Sequence, residues 1–84
     1  MRNIDPKKYN LHSRTKLKKM GKRVFIVIDR KTRIIMKDGY RIFEIVKQIR
    51  QFESDKKIGV LTSAPVCSKT QNFLLQNQIV IKGL

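Results

Sequence analysis

Apolar residues in this chain fall into short β-branched runs and two helical stripes, separated by polar turns, and that alternation predicts the elements. Residues 24–28, Val-Phe-Ile-Val-Ile, are an unbroken run of strand-forming residues, as expected of a strand covered on both faces. Asp29-Arg30-Lys31-Thr32 interrupts it and Ile34-Ile35-Met36 resumes the strand pattern, which predicts a β-hairpin with its tip at residues 29–33. The tip lacks Asn-Gly or Asp-Gly, so its turn type is open. Asp38-Gly39 then introduces the clearest helix, with Asp38 expected as its N-cap. Ile42, Ile45, Val46, Ile49 and Phe52 or Glu53 follow the i, i+3, i+4, i+7 spacing, while Arg41, Glu44, Lys47, Gln48 and Gln51 fall elsewhere.

Residues 56–61 read as the next strand, Ile58 to Leu61 being too short a run for a helix and bounded by turn residues. Pro65 is expected in the first turn of a second helix, traced by Val66, Thr70, Phe73, Leu74 and Asn77. Asn77 is its expected left-handed terminator. Ile79-Val80-Ile81 closes the pattern as a short strand. At the other end, Asp5-Pro6 is a helix-start signal and Gly21 a stop. Between them Tyr9, Leu17 and Met20 trace only a thin apolar stripe. The predicted order is α-β-β-α-β-α-β: a small α/β domain with a mixed four-stranded sheet, an N-terminal hairpin and two right-handed β-α-β crossovers. Both crossover helices should lie on one face, leaving the other to the N-terminal helix. Residues 1–84 are expected to form a single domain, with 1–21 a basic helix or arm and 22–84 the α/β core.

Charge changes this picture from a scaffold to a candidate binder. In 84 residues, 20 Lys and Arg face 6 Asp and Glu, for a net charge of +14. An excess of that size opposes compaction unless something anionic binds. Nucleic acid is the first candidate and an anionic membrane surface the second. An acidic protein partner is a further alternative, and a merely solvated basic surface is the plainest one. Residues 1–23 hold nine of the cations against Asp5 alone. The expected nucleic-acid footprint is therefore Lys7, Lys8, Arg14, Lys16, Lys18, Lys19, Lys22 and Arg23, extended by Arg30, Lys31 and Arg33 at the predicted hairpin tip. Tyr9, Phe25 and Tyr40 do not form an aromatic pair of the RNA-recognition-motif kind and are expected in packing roles. Oligomeric state is not encoded in any recognisable pattern.

Other chemistry is sparse. The one cysteine, Cys67, excludes an internal disulfide framework, and no apolar stretch approaches the length that spans a bilayer. A soluble, cytoplasmic protein is expected. Cys67 and the single histidine, His12, are far apart in sequence and have no metal-ligand spacing, so neither a metal nor a cofactor is expected. The strand-to-helix junction Thr62-Ser63-Ala64-Pro65 could offer backbone N–H groups to a phosphate, without a glycine-rich fingerprint.

Asp29-Arg30-Lys31, at a strand end followed by helix, strand, helix and strand, is similar to the second half of the restriction-endonuclease-like nucleases. Ile58-Gly59-Val60-Leu61-Thr62-Ser63, with Ser68-Lys69, Phe73-Leu74 and Ile79, resembles the end of their Mrr-type branch. The resemblance implies that Asp29 would bind Mg²⁺ and that Lys31 would assist the attacking water. The strand that carries the family's first metal-binding aspartate has no counterpart in residues 1–23, whose one acid is Asp5. The expectation is accordingly a binding domain, with a reduced Mg²⁺-dependent nuclease as the alternative.

Overall fold

A computed structural model describes residues 2–84. Two antiparallel pairings and two parallel ones join five strands into one sheet, in the order β1-β2-β3-β4-β5. The strands are β1 (Arg2–Ile4), β2 (Leu17–Met20), β3 (Arg23–Ile28), β4 (Lys57–Thr62) and β5 (Val80–Gly83). Helix α1 (Met36–Phe52) connects β3 to β4, and α2 (Ser68–Gln76) connects β4 to β5. The mixed α/β architecture and the two crossovers match expectation; the strand count among the described residues is five, not four.

The N-terminal third corrects the sequence-based picture most. No helix forms over residues 7–20. Asp5 and Pro6 do start a helical turn, with the Asp5 carboxylate accepting from the Lys7 N–H, but it is a 3-10 turn of four residues, Pro6–Tyr9. Asn10, in the left-handed region at φ 57°, ends it. The physical reason is the thin stripe: a helix there would bury too little apolar surface to offset its ordering. As a strand, the same segment buries Leu17 opposite Ile26 and satisfies its backbone against β3. Gly21 is not a helix stop. It stands at φ 60° as the first residue of the two-residue turn Gly21-Lys22, which joins Met20 to Arg23. A positive φ at the first turn position alone is the II′ geometry that glycine favours and that matches strand twist.

The hairpin is therefore β2–β3, and no hairpin tip exists at residues 29–33. Residues 29–35 are a connection, with Ile34 alone in bridge pairing, to Val66. The Ile34 N–H donates to the Pro65 carbonyl at 2.8 Å, and the Cys67 N–H donates to the Ile34 carbonyl at 3.0 Å. Pro65 thus lies in a loop stitched to the one before α1, and α2 begins only at Ser68, capped by Cys67. Asp38 sits inside α1, not at its cap, and its carboxylate reaches back to the Ile35 N–H at 3.0 Å. After α2 the left-handed residue is Gln78, at φ 62°, and not Asn77.

Both helices pack on one face of the sheet. Ile42, Val46 and Ile49 of α1 and Leu74 of α2 join Tyr9, Leu17, Val24, Ile26, Ile58 and Val60 in the principal core. Gln48 is less neutral than its place off the apolar stripe suggests: its Nε2 donates to the Tyr9 carbonyl at 3.0 Å, tying α1 to the 3-10 turn. The Tyr9 hydroxyl donates to Glu53 at the end of α1. Burial, then that hydrogen bond, pushes the Tyr9 pKa up, and the same bond holds the Glu53 carboxyl below its ordinary value.

Candidate nucleic-acid interface

Among the described residues the other face of the sheet carries no helix, contrary to the expectation that an N-terminal helix covers it. Strand alternation decides what it presents. With Val24 and Ile26 turned toward the helices, Arg23, Phe25 and Val27 of β3 fall on the open side. The registers Lys18↔Phe25↔Gly59↔Val80 and Val27↔Leu61↔Lys82 extend that side across four strands. Arg23 and Lys57, paired with each other, share its parity.

The centre of this face is closely built. A Cβ on Gly59 would lie 2.8 Å from the Phe25 ring and 2.7 Å from a Val80 methyl, so glycine is what lets these side chains meet over β4. Phe25 is only 1% exposed although no helix covers it. Its ring lies beneath Lys82, whose Nζ is 5.9 Å from the ring centroid. Such a contact holds a lysine stem flat on apolar surface with its charge still in water. Phe25 is consequently a packed floor and offers no free stacking platform.

Charge on the sheet is one-sided in sign. The five strands carry Arg2, Lys18, Lys19, Arg23, Lys57 and Lys82 and not one Asp or Glu. Four of these cations, Lys18, Arg23, Lys57 and Lys82, have the parity of the open face. None of the four has an ion-pair partner among the described residues.

The sequence-predicted cations do not gather in one place. Lys18 and Arg23 belong to the open face, and Lys22 sits in the adjoining hairpin turn. Lys19 has the parity of the helix side, opposite Arg2. Lys7 and Lys8 lie on the 3-10 turn, where Lys8 pairs with Glu53 at 3.7 Å. Arg14 and Lys16 line a cleft between residues 11–16, β3 and α1. Arg30 is occupied: its guanidinium donates to Asp38 at 2.7 Å and to the carbonyls of Thr32 and Arg33 at 3.1 and 3.2 Å. Lys31 and Arg33 are exposed on the 29–35 connection. Lys57 and Lys82 are members of the face that charge counting near the N-terminus missed. Their odd-even relation to Gly59 and Val80 was present in the sequence, but which parity faces away from the helices was not.

The remaining candidates have structural partners. Asp29 accepts from the Ser63 hydroxyl at 2.6 Å, just beyond the ends of β3 and β4, with Lys31 in the connection that follows. Among the described residues no three His, Cys, Asp or Glu side chains gather as a metal site. The Thr62-Ser63-Ala64-Pro65 junction is closed on itself: the buried Thr62 hydroxyl donates to the Ile28 carbonyl at 2.7 Å and accepts from the Ala64 N–H at 3.0 Å. Cys67 accepts from the Thr70 N–H at 3.4 Å, with the Thr70 hydroxyl 2.8 Å from its sulfur. Those contacts, hydroxyl first, hold the thiol below its ordinary pKa. His12 Nδ1 accepts from the Arg14 N–H at 3.1 Å. Among the described residues no helix is long and apolar enough to cross a membrane. Comparison with protein-family models, with curated proteins and with solved structures finds no match for this chain.

Proposed function

We propose that this domain binds nucleic-acid backbones through the helix-free face of its sheet. The observation that carries the proposal is the charge pattern of the strands: six cations, no acid, and four of the cations on the face that no helix covers. A flat, twisted surface of that kind places several ammonium and guanidinium groups within reach of successive phosphates. Release of condensed counterions then supplies the driving force. Base stacking contributes little, because Phe25 lies under Lys82 and Val80, so the expected preference is for backbone and not for sequence.

Two variants of equal charge test this. One replaces Lys18, Lys57 and Lys82 with Gln; the other replaces Lys7, Lys37 and Lys69, which lie off the open face, with Gln. Anisotropy titrations with a 20-base single strand and its duplex are read across a salt series. Wild type should give a log–log slope of about −3 to −4 on duplex, from four contacts at about 0.9 each. The face variant should lose most of that slope, and the control should keep it. Equal weakening in both variants would mean that net charge alone acts, and absence of binding at low salt would dismiss nucleic acid in favour of an acidic protein.

A further inference from the structure

Between residues 11–16, the end of β3 and the first half of α1 lies a cleft of about 580 Å³. That volume is within the range of about 300–1,000 Å³ common to small-molecule sites. Its lining divides into two chemistries. Leu11, Ile28 and Ile45 are half-buried and turn apolar surface into it over a floor of Ile26 and Ile42. Arg14, Lys16 and Arg41 stand at its rim, and none of their side chains has a hydrogen-bond or ion-pair partner among the described residues.

A fixed polar wall completes the site. Arg30 and Asp38 also line it, and they neutralise each other at 2.7 Å. Arg30 is held as well by two backbone carbonyls, and Asp38 by the Ile35 N–H. The one carboxylate in the lining is therefore already matched, and the charge left for a ligand is that of Arg14, Lys16 and Arg41. Two guanidinium forks beside an ammonium suit a phosphate, which arginine can grip through two parallel hydrogen bonds. His12, whose Nδ1 already accepts from the Arg14 N–H, also lines the cleft.

We infer that this cleft is a site for a single nucleotide unit: an aromatic heterocycle against Leu11, Ile28 and Ile45, and its phosphate between Arg14, Lys16 and Arg41. The same chemistry is offered by a free nucleotide and by an unstacked phosphorylated end of a strand. None of Lys18, Arg23, Lys57 and Lys82 lines the cleft, so it does not depend on backbone binding through those four cations.

Adenosine 5′-monophosphate is the probe, followed by ¹H–¹⁵N NMR of the whole chain, with adenosine and inorganic phosphate as half-ligand controls. Saturable shifts should centre on residues 11–16, 26–28 and 41–45, with either half-ligand at least tenfold weaker. Arg14→Gln and Arg41→Gln, both at exposed positions, should each weaken binding about tenfold without moving the melting temperature. A five-base strand with and without a 5′-phosphate separates the sources: a phosphate-dependent gain in the same shifts assigns the strand end, and its absence assigns the free nucleotide. Shifts confined to the open face, no shifts at millimolar nucleotide, or unaltered affinity in Arg41→Gln would each overturn the proposal. Strand binding at the open face with a silent cleft would do so while leaving the proposed function intact. A responsive cleft with no strand binding would do the reverse.

Discussion

Replacing Gly59 with alanine sets two effects of opposite sign against each other in the middle of the sheet. Gly59 is in ordinary extended backbone, since its φ is not positive. Alanine should therefore gain about 0.4–1 kcal/mol by narrowing the unfolded ensemble. Against that, the new Cβ would lie 2.7 Å from Val80 Cγ2, 2.8 Å from Phe25 Cε1 and 3.0 Å from the Val80 carbonyl oxygen. The valine methyl can rotate away, but the carbonyl is fixed by the β4–β5 ladder, and the Phe25 ring is 1% exposed with little room to retreat. Overpacking of this kind costs about 1–3 kcal/mol. The net expectation is a loss of about 1–2 kcal/mol, or a fall in Tm of roughly 4–16 °C for a domain of this size. Thermal melts of wild type, Gly59→Ala, Val80→Ala and the double variant measure it. The double variant should recover part of the loss, giving a coupling of about 0.5–1 kcal/mol between the two sites. An unchanged or higher Tm in Gly59→Ala would refute the claim that glycine is required there for close approach, and with it the packing that seats Phe25 beneath Lys82.

Four further substitutions test the contacts around α1. Asp38→Ala removes the acceptor of both Ile35 N–H and Arg30 and should cost about 1–2 kcal/mol in urea melts at neutral pH. The Arg30 guanidinium holds the Asp38 carboxyl below its ordinary value, so that stability is fully present above pH 4 or so and is lost as pH falls through the lowered folded value; the gap between wild type and variant should close on acidification. Tyr9→Phe should cost about 1 kcal/mol at pH 7, by loss of the hydrogen bond to Glu53. Because the folded-state Tyr9 pKa is raised, wild type should lose stability as pH climbs past about 10, the unfolded value, while the phenylalanine variant does not, which alkaline melts would show. Ile49→Asp, at a fully buried position, should abolish the cooperative transition seen by circular dichroism, whereas Gln48→Ala should cost about 1 kcal/mol through its bond to Tyr9.

Local pattern alone specified β3, α1, β4, α2 and β5, because each carries enough apolar residues at one period to name its own conformation. The β-branched and aromatic run Val24–Ile28 names a strand, and the spacing of Ile42, Val46 and Ile49 marks the face α1 buries. Residues 2–20 carry no such signal. Their strands are three and four residues long, and of these only Leu17 is fully buried. Their identity is decided by β3, which offers an unpaired edge that β2 can satisfy through the Gly21-Lys22 turn. The 29–33 segment shows the same effect in reverse: Ile34 is apolar because it is buried in the bridge to Val66, a contact made with a loop 32 residues away in sequence, and not because it belongs to a hairpin. Net charge was legible as a count, and its placement was not. Lys18, Arg23, Lys57 and Lys82 share a face only because pairing register and the side chosen by the two crossover helices put them there, and Arg14 and Arg41 flank one cleft only because the 11–16 loop runs beside α1. Periodicity is a property of a segment; which side of a sheet is left uncovered is a property of every segment at once.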